Sequence, residues 1–124
     1  MNLTNKFVFF IILNTTASIA HADSTLMGVG NVSCGKYLQM SKNPSDFVHA
    51  NAWILGYLSG LNVARGRSDF LKNTDREAIE AAVALYCQEN PLDNLWQAAF
   101  SVGVRLSVQN GETIDSWRNG NKNN

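Results

Sequence analysis

The sequence predicts an all-α domain of one short helix and three longer ones, stapled by one disulfide. Apolar residues recur at three- and four-residue spacing through 45–65, 78–88 and 92–106, and residues that start or stop helices punctuate those runs. No two alternating segments are joined by hairpin chemistry. The only cysteines, Cys34 and Cys87, make an even pair with nothing left over.

Met1 to Ala22 has the order of a cleavable secretory signal. Lys6 is its only charge, the apolar run Phe7 to Leu13 follows, and Ala20-His21-Ala22 supplies a cleavage triplet. That run is seven residues long, whereas a helix spanning a bilayer needs about 20. The expectation is therefore export to the periplasm, cleavage after Ala22 and no membrane anchor afterwards. An oxidising compartment turns an isolated cysteine pair into a disulfide as its first reading.

Residues 23–32 show no sustained period and read as a mobile leader, with the helical domain over 33–110. Cys34 to Met40 makes the short helix, Cys34, Tyr37 and Leu38 sharing one face, and Ser41 to Pro44 breaks it. The next helix starts at Ser45-Asp46 and runs to about Arg65 on a stripe of Phe47, Ala50, Ile54, Tyr57, Leu58 and Leu61, flanked by Trp53. Gly56 and Gly60 form a small-x-x-x-small pattern suited to close packing in a helical bundle. His49, Asn51 and Asn62 interrupt the run and argue against a membrane dimer. Trp53, Tyr57 and Leu58 are expected on or beside the Gly56/Gly60 surface, serving either the core or a dimer.

Gly66 to Asn73 is polar and reads as a loop. Thr74-Asp75-Arg76-Glu77 has the spacing of a capping box, with Thr74 as the cap. Ile79, Ala82, Val83 and Tyr86 then share a face, with Cys87 at its edge. At Asn90-Pro91 the chain is expected to stop one helix and start another, Asn90 capping, Pro91 in the first position and Asp93 at the positive end. Leu92, Leu95, Trp96, Ala99, Val102, Gly103 and Leu106 form its stripe, and Asn110-Gly111 stops it. The segment 111–124 is expected to be a mostly disordered polar tail.

Enzymatic machinery is not apparent. There is no nucleophile elbow, phosphate-binding glycine loop or His-Glu-x-x-His, and His49 is the one histidine beyond Ala22. No metal or cofactor site is expected. Ten Lys plus Arg balance ten Asp plus Glu, and Lys6 lies in the leader, so nothing attracts nucleic acid. What stands out is aromatic density. Most of these rings belong in a core, while Phe100, off the main stripe, and Trp117, in the tail, are candidates for a partner surface.

Several local patterns together resemble a known family. The order Cys34, Tyr37-Leu38, then Trp53-Ile-Leu-Gly56-Tyr57-Leu58-Ser-Gly60, then Tyr86-Cys87-Gln-Glu-Asn90-Pro91, is similar to the Hde family of periplasmic acid-stress chaperones over about 32–106. The resemblance implies a small helical fold whose single disulfide corresponds to Cys34 and Cys87. It also implies a homodimer that separates in acid to hold unfolding clients. Unlike that family, the chain lacks lysine-rich ends, carries an extra loop at Gly66 to Asn73 and ends in a nearly uncharged tail. The Gly56-Tyr57-x-x-Gly60 element also looks like the Rap/Tai family of periplasmic immunity proteins, which neutralise toxins by tight binding. An accessory role in a secretion or conjugation apparatus is a third expectation, since a fold does not fix a function. The candidate binding surface is Trp53, Gly56, Tyr57, Leu58, Gly60 and Phe100, and the expected partners are a protein partner or unfolded clients.

Overall fold

A computed structural model describes residues 25–118, so the segment read as a signal, its expected cleavage point and residues 119–124 lie outside the described residues. A 3-10 turn at Gly28–Asn31 precedes five helices: α1 (Cys34–Met40), α2 (Pro44–Arg65), α3 (Arg76–Glu89), α4 (Leu95–Gln109) and α5 (Ile114–Arg118). Among the described residues there is no strand, only an isolated bridge between Ser33 and Asn94. The chain is all-α, with one short and three longer helices around the core and a disulfide between Cys34 and Cys87, Sγ to Sγ 2.09 Å.

α4 is the central element and packs against α1, α2, α3, α5 and the 3-10 turn. It does so by burying Leu95, Ala98, Ala99, Val102 and Gly103, whose small members let neighbouring helices come close. A Cβ added at Gly103 would lie 3.2 Å from Cδ2 of Leu58 and 3.7 Å from Phe70, so this glycine is the close-approach point between α4 and α2. The bundle core adds Tyr37 from α1, Ala50, Ile54 and Leu58 from α2, and Ile79 and Val83 from α3. Both cysteines are fully buried, one opening α1 and the other near the end of α3.

Tyr37, Asn51 and Asn62 use their polar groups to align separate segments. The Tyr37 hydroxyl donates to Oδ1 of Asn51 at 2.8 Å, joining α1 to α2 where both residues are buried. Burial, and to a lesser degree the charge of Glu80, pushes the Tyr37 phenol up to about 12, so it stays a donor throughout the neutral range. Asn62 turns the 66–73 loop: its Oδ1 accepts from the Phe70 amide at 3.1 Å and its Nδ2 donates to Asp69 at 2.8 Å. The loop is polar as expected, yet it delivers Phe70 to the core with no exposed surface.

Within the segment read as a leader, Val29 packs on the core and Gly30 is buried. Two expectations are corrected, the cap of α3 and the start of α4. The cap of α3 is Asp75 and not Thr74: the Asp75 carboxylate accepts from the Ala78 amide at 2.7 Å, while the Thr74 amide is already closing the loop onto Leu71. An anionic cap one residue later suits the positive helix end better than a hydroxyl.

The start of α4 moves from Pro91 to Leu95, with Asn94 at the cap and its amide donating to Gln97 Oε1 at 2.8 Å. A helix begun at Pro91 would need its carbonyls for its own ladder. Instead the Pro91 and Asp93 carbonyls accept from the Gly35 and Cys34 amides at 2.9 and 2.7 Å, and the Leu95 amide donates to Val32. Leu92, placed on the stripe by spacing, is consequently 93% exposed in that turn. Asn90 ends α3, its side chain donating to the Tyr86 carbonyl. In the segment read as a tail, Ile114–Arg118 forms one helical turn that sets Trp117 against the core.

The cross-link closes a sequence separation of 53 residues, and the chain-entropy model assigns such a loop roughly 4 kcal/mol. Replacing both cysteines, Cys34→Ser with Cys87→Ser, should lower the unfolding free energy by about 2 to 4 kcal/mol in urea titration. An unchanged midpoint would show that the packed core holds without the staple.

Candidate functional site

From Phe47 to Ala64, α2 carries no Asp, Glu, Lys or Arg. Its hydrophobicity is spread around the whole circumference, unlike that of α3 and α4. The inner face buries Ala50, Asn51, Ile54 and Leu58, and the outer face leaves Ala52, Gly56, Ser59, Gly60 and Val63 open to solvent at intervals of three and four residues. A helix that is apolar on its solvent side has a face available for a partner.

The six expected surface residues fall into four environments. Leu58 is wholly buried and belongs to the core. Gly56 and Gly60 are exposed, and a Cβ on either would meet nothing within 4 Å, so the expected close packing against another part of this chain does not occur. Both have ordinary helical backbone, and the fold itself gives no reason for glycine there. Trp53 and Tyr57 are half-buried and stacked, ring centroids 5.2 Å apart and planes 11° from parallel.

The Trp53 indole is a strap for the amino-terminal segment. Its Nε1 donates to the Met27 carbonyl at 2.8 Å, and its rings lie over Gly28 and Gly30. A Cβ on Gly30 would come within 2.3 Å of the Trp53 ring, so this close approach requires glycine. Gly28 has φ +82, a conformation glycine adopts without strain.

The sixth residue, Phe100, leads to a second feature. Its ring meets Trp117 edge-on at 5.2 Å, and Trp117 also touches Phe70, with ring centroids 6.0 Å apart. The Arg65 guanidinium covers the other side, 3.6 Å from the Trp117 ring centroid. Arg65 is the last residue of α2 and bonds Glu112 Oε2 at 2.5 Å. Ser68 donates to the other carboxylate oxygen at 2.5 Å and Ser116 donates to Oε2 at 3.1 Å. Glu112 thus ties the end of α2, the following loop and α5 into one clamp over the aromatic cluster.

Burial alone would push the Glu112 carboxyl up, but the hydrogen bonds from Ser68, Arg65 and Ser116 and the Arg65 charge outweigh it and hold it below the ordinary carboxylate range. A depressed folded value means the clamp contributes fully above the unfolded value of about 4.3 and loses its contribution as pH falls through the lower folded value. Spacing could not have revealed Arg65 and Glu112 as partners, because 47 residues separate them. The one sequence signal was an acid immediately after a helix stop.

Among the described residues, no group of three or more His, Cys, Asp or Glu is placed to hold a metal ion, and no helix is long and apolar enough to cross a membrane. Compared with known protein families, curated proteins and solved structures, the chain matches none of them.

Two outcomes follow from this geometry. Gly56→Ala and Gly60→Ala should each stabilise the isolated protein by about 0.5 to 1 kcal/mol in thermal or urea unfolding, because alanine is the better helix former and the space is free. A loss of stability would mean that both glycines are already packed against something. Glu112→Gln should cost about 1 to 3 kcal/mol at neutral pH and nearly nothing once acid has protonated the native carboxyl. Parallel stability curves for the two proteins from neutral pH to acid would remove Glu112 from the account.

Proposed function

We propose that the chain is an exported, periplasmic protein-binding domain that holds partly unfolded polypeptides during acid stress, working without catalysis. The observation that carries this reading is the clamp over Trp117, in which the Glu112 carboxylate holds Arg65, Ser68 and Ser116 together. Protonating Glu112 removes the ion pair with Arg65 and the anionic acceptor shared by Ser68 and Ser116. Release of α5 then uncovers Trp117 and the facing sides of Phe100 and Phe70. Docked, Trp117 Nε1 and Arg65 Nε are buried without hydrogen-bond partners, so both gain water on release and the step costs less than the aromatic contacts alone suggest.

The uncharged outer face of α2 supports the same reading, since it offers apolar, close-approach surface that no part of the described chain covers. At neutral pH it suits a second copy of this chain or a folded partner; in acid it adds to the surface released at α5. The cysteine order, the Trp53 to Gly60 segment and the Asn-Pro step, in which the chain resembles the Hde chaperones, point the same way.

The test is light scattering of an aggregating client at about pH 2 to 3, below the carboxylate range, with and without the protein, paired with sedimentation at neutral and acid pH. Suppression of scattering in acid, reduced by Gly60→Arg on the α2 face, is the expected result. Undiminished aggregation with an unchanged assembly state would sink the chaperone reading. Capture of a single stoichiometric toxin-like partner at neutral pH would replace it with the immunity reading, in which the α2 face is a fixed docking surface.

A further inference from the structure

A cleft of about 390 Å³ lies on the side of the bundle formed by α3 and α4, apart from the α2 face and the clamp. The lining comes from the loop residues Lys72, Asn73 and Thr74, from Ala78, Ile79 and Ala82 of α3, and from Val102, Arg105, Leu106 and Gln109 of α4 with Asn110 just after it. Its volume falls within the range of small-molecule sites.

The chemistry of the lining is asymmetric. Ala78 is exposed and Ala82 and Leu106 are half-buried, so these three supply the apolar surface of the cleft, with Ile79 and Val102 almost wholly covered behind them; both charged lining residues are cations and no carboxylate lines the cleft. Lys72 and Arg105 are exposed and make no ion pair among the described residues, unlike Arg65, Arg76 and Arg118. They rise from different elements, a loop and a helix, to border one opening. Neither the Thr74 hydroxyl nor the Gln109 side-chain amide is engaged in a hydrogen bond within the described residues, whereas the Asn110 side-chain amide donates to the Phe70 and Leu106 carbonyls.

We propose that this cleft binds a small aliphatic monocarboxylate, its hydrocarbon body on Ala78, Ala82 and Leu106 and its headgroup between Lys72 and Arg105. A guanidinium presents paired donors that match a carboxylate, and an ammonium supplies a second, less directional charge. Two cations and an apolar floor are too few charges and the wrong surface for a phosphate polymer, which needs a stripe of contacts along its backbone. They suit one negative charge attached to one apolar body. A ligand without the charge leaves the rim unused, and one without the body leaves the floor wet.

The experiment titrates the oxidised full chain at neutral pH with decanoate below its micellar concentration, following amide chemical shifts. Acetate and 1-decanol serve as the two half-ligands. Saturable shifts confined to 72–82 and 102–110 with decanoate, with binding weakened roughly tenfold for 1-decanol and absent for acetate, are expected. Arg105→Gln, an exposed position that leaves the fold intact, should weaken decanoate by about tenfold and leave 1-decanol unchanged. Equal binding of decanoate and 1-decanol, or no effect of Arg105→Gln together with Lys72→Gln, overturns the assignment. Shifts spread over the whole surface do the same, and so does binding of a peptide ending in leucine where decanoate fails.

Discussion

The first turn of α1 sets the arrangement of everything else. A helix start leaves four amides without partners, and a seven-residue helix has little ladder of its own to compensate. Here the Cys34 and Gly35 amides find the carbonyls of Asp93 and Pro91, and the Lys36 amide finds the Ser33 hydroxyl. The turn between α3 and α4 therefore serves as the cap of a helix more than fifty residues earlier in the chain, and the Cys34–Cys87 bond makes the same junction covalent. Once that junction forms, the end of α3 and the beginning of α4 are both committed, and α4 runs through the middle of the bundle because its start is held at α1. The Tyr86 hydroxyl adds a bond of 2.6 Å to Asp93, fastening the turn from the α3 side.

How much of this was legible in the sequence depends on whether each determinant was local. The bounds of α1 follow from Ser33 before it and the Ser41 to Pro44 break after it, and they agree with the structure. The long α2 stripe and the stop at Gly66, which adopts φ +56, are local signals too. Displacements arise where distant groups compete for the backbone. Pro91 has the residue type of a helix start, yet the carbonyls around it are claimed by α1. Trp117 stands in a polar tail, yet its partners Arg65, Phe70 and Phe100 come from three other places in the chain.

The candidate surface shows the same division. That Gly56 and Gly60 share a helix face is visible in their spacing, but whether the face looks inward or outward depends on where α4 packs, and α4 meets α2 at Gly103 instead. The apolar count around α2 is nearly uniform, so periodicity alone could not choose. Asn51, read as an interruption in an apolar run, is the buried partner of Tyr37, and Asn62 organises the loop that carries Phe70. Each looked like a polar defect because its partner lies on another segment.

The indole of Trp53 over the 3-10 turn and the guanidinium of Arg65 over Trp117 have a joint mechanical consequence. Both ends of the described chain are fastened to the same helix, one near its middle and one at its last residue, while the covalent loop from Cys34 to Cys87 encloses α1, α2 and α3. A pull applied at the two termini would peel the segments outside that loop first, including all of α4, and could not lengthen the enclosed part without cleaving sulfur from sulfur. Under tension the protein would stop yielding with most of α2 still wound, and a reductant would set how far it stretches.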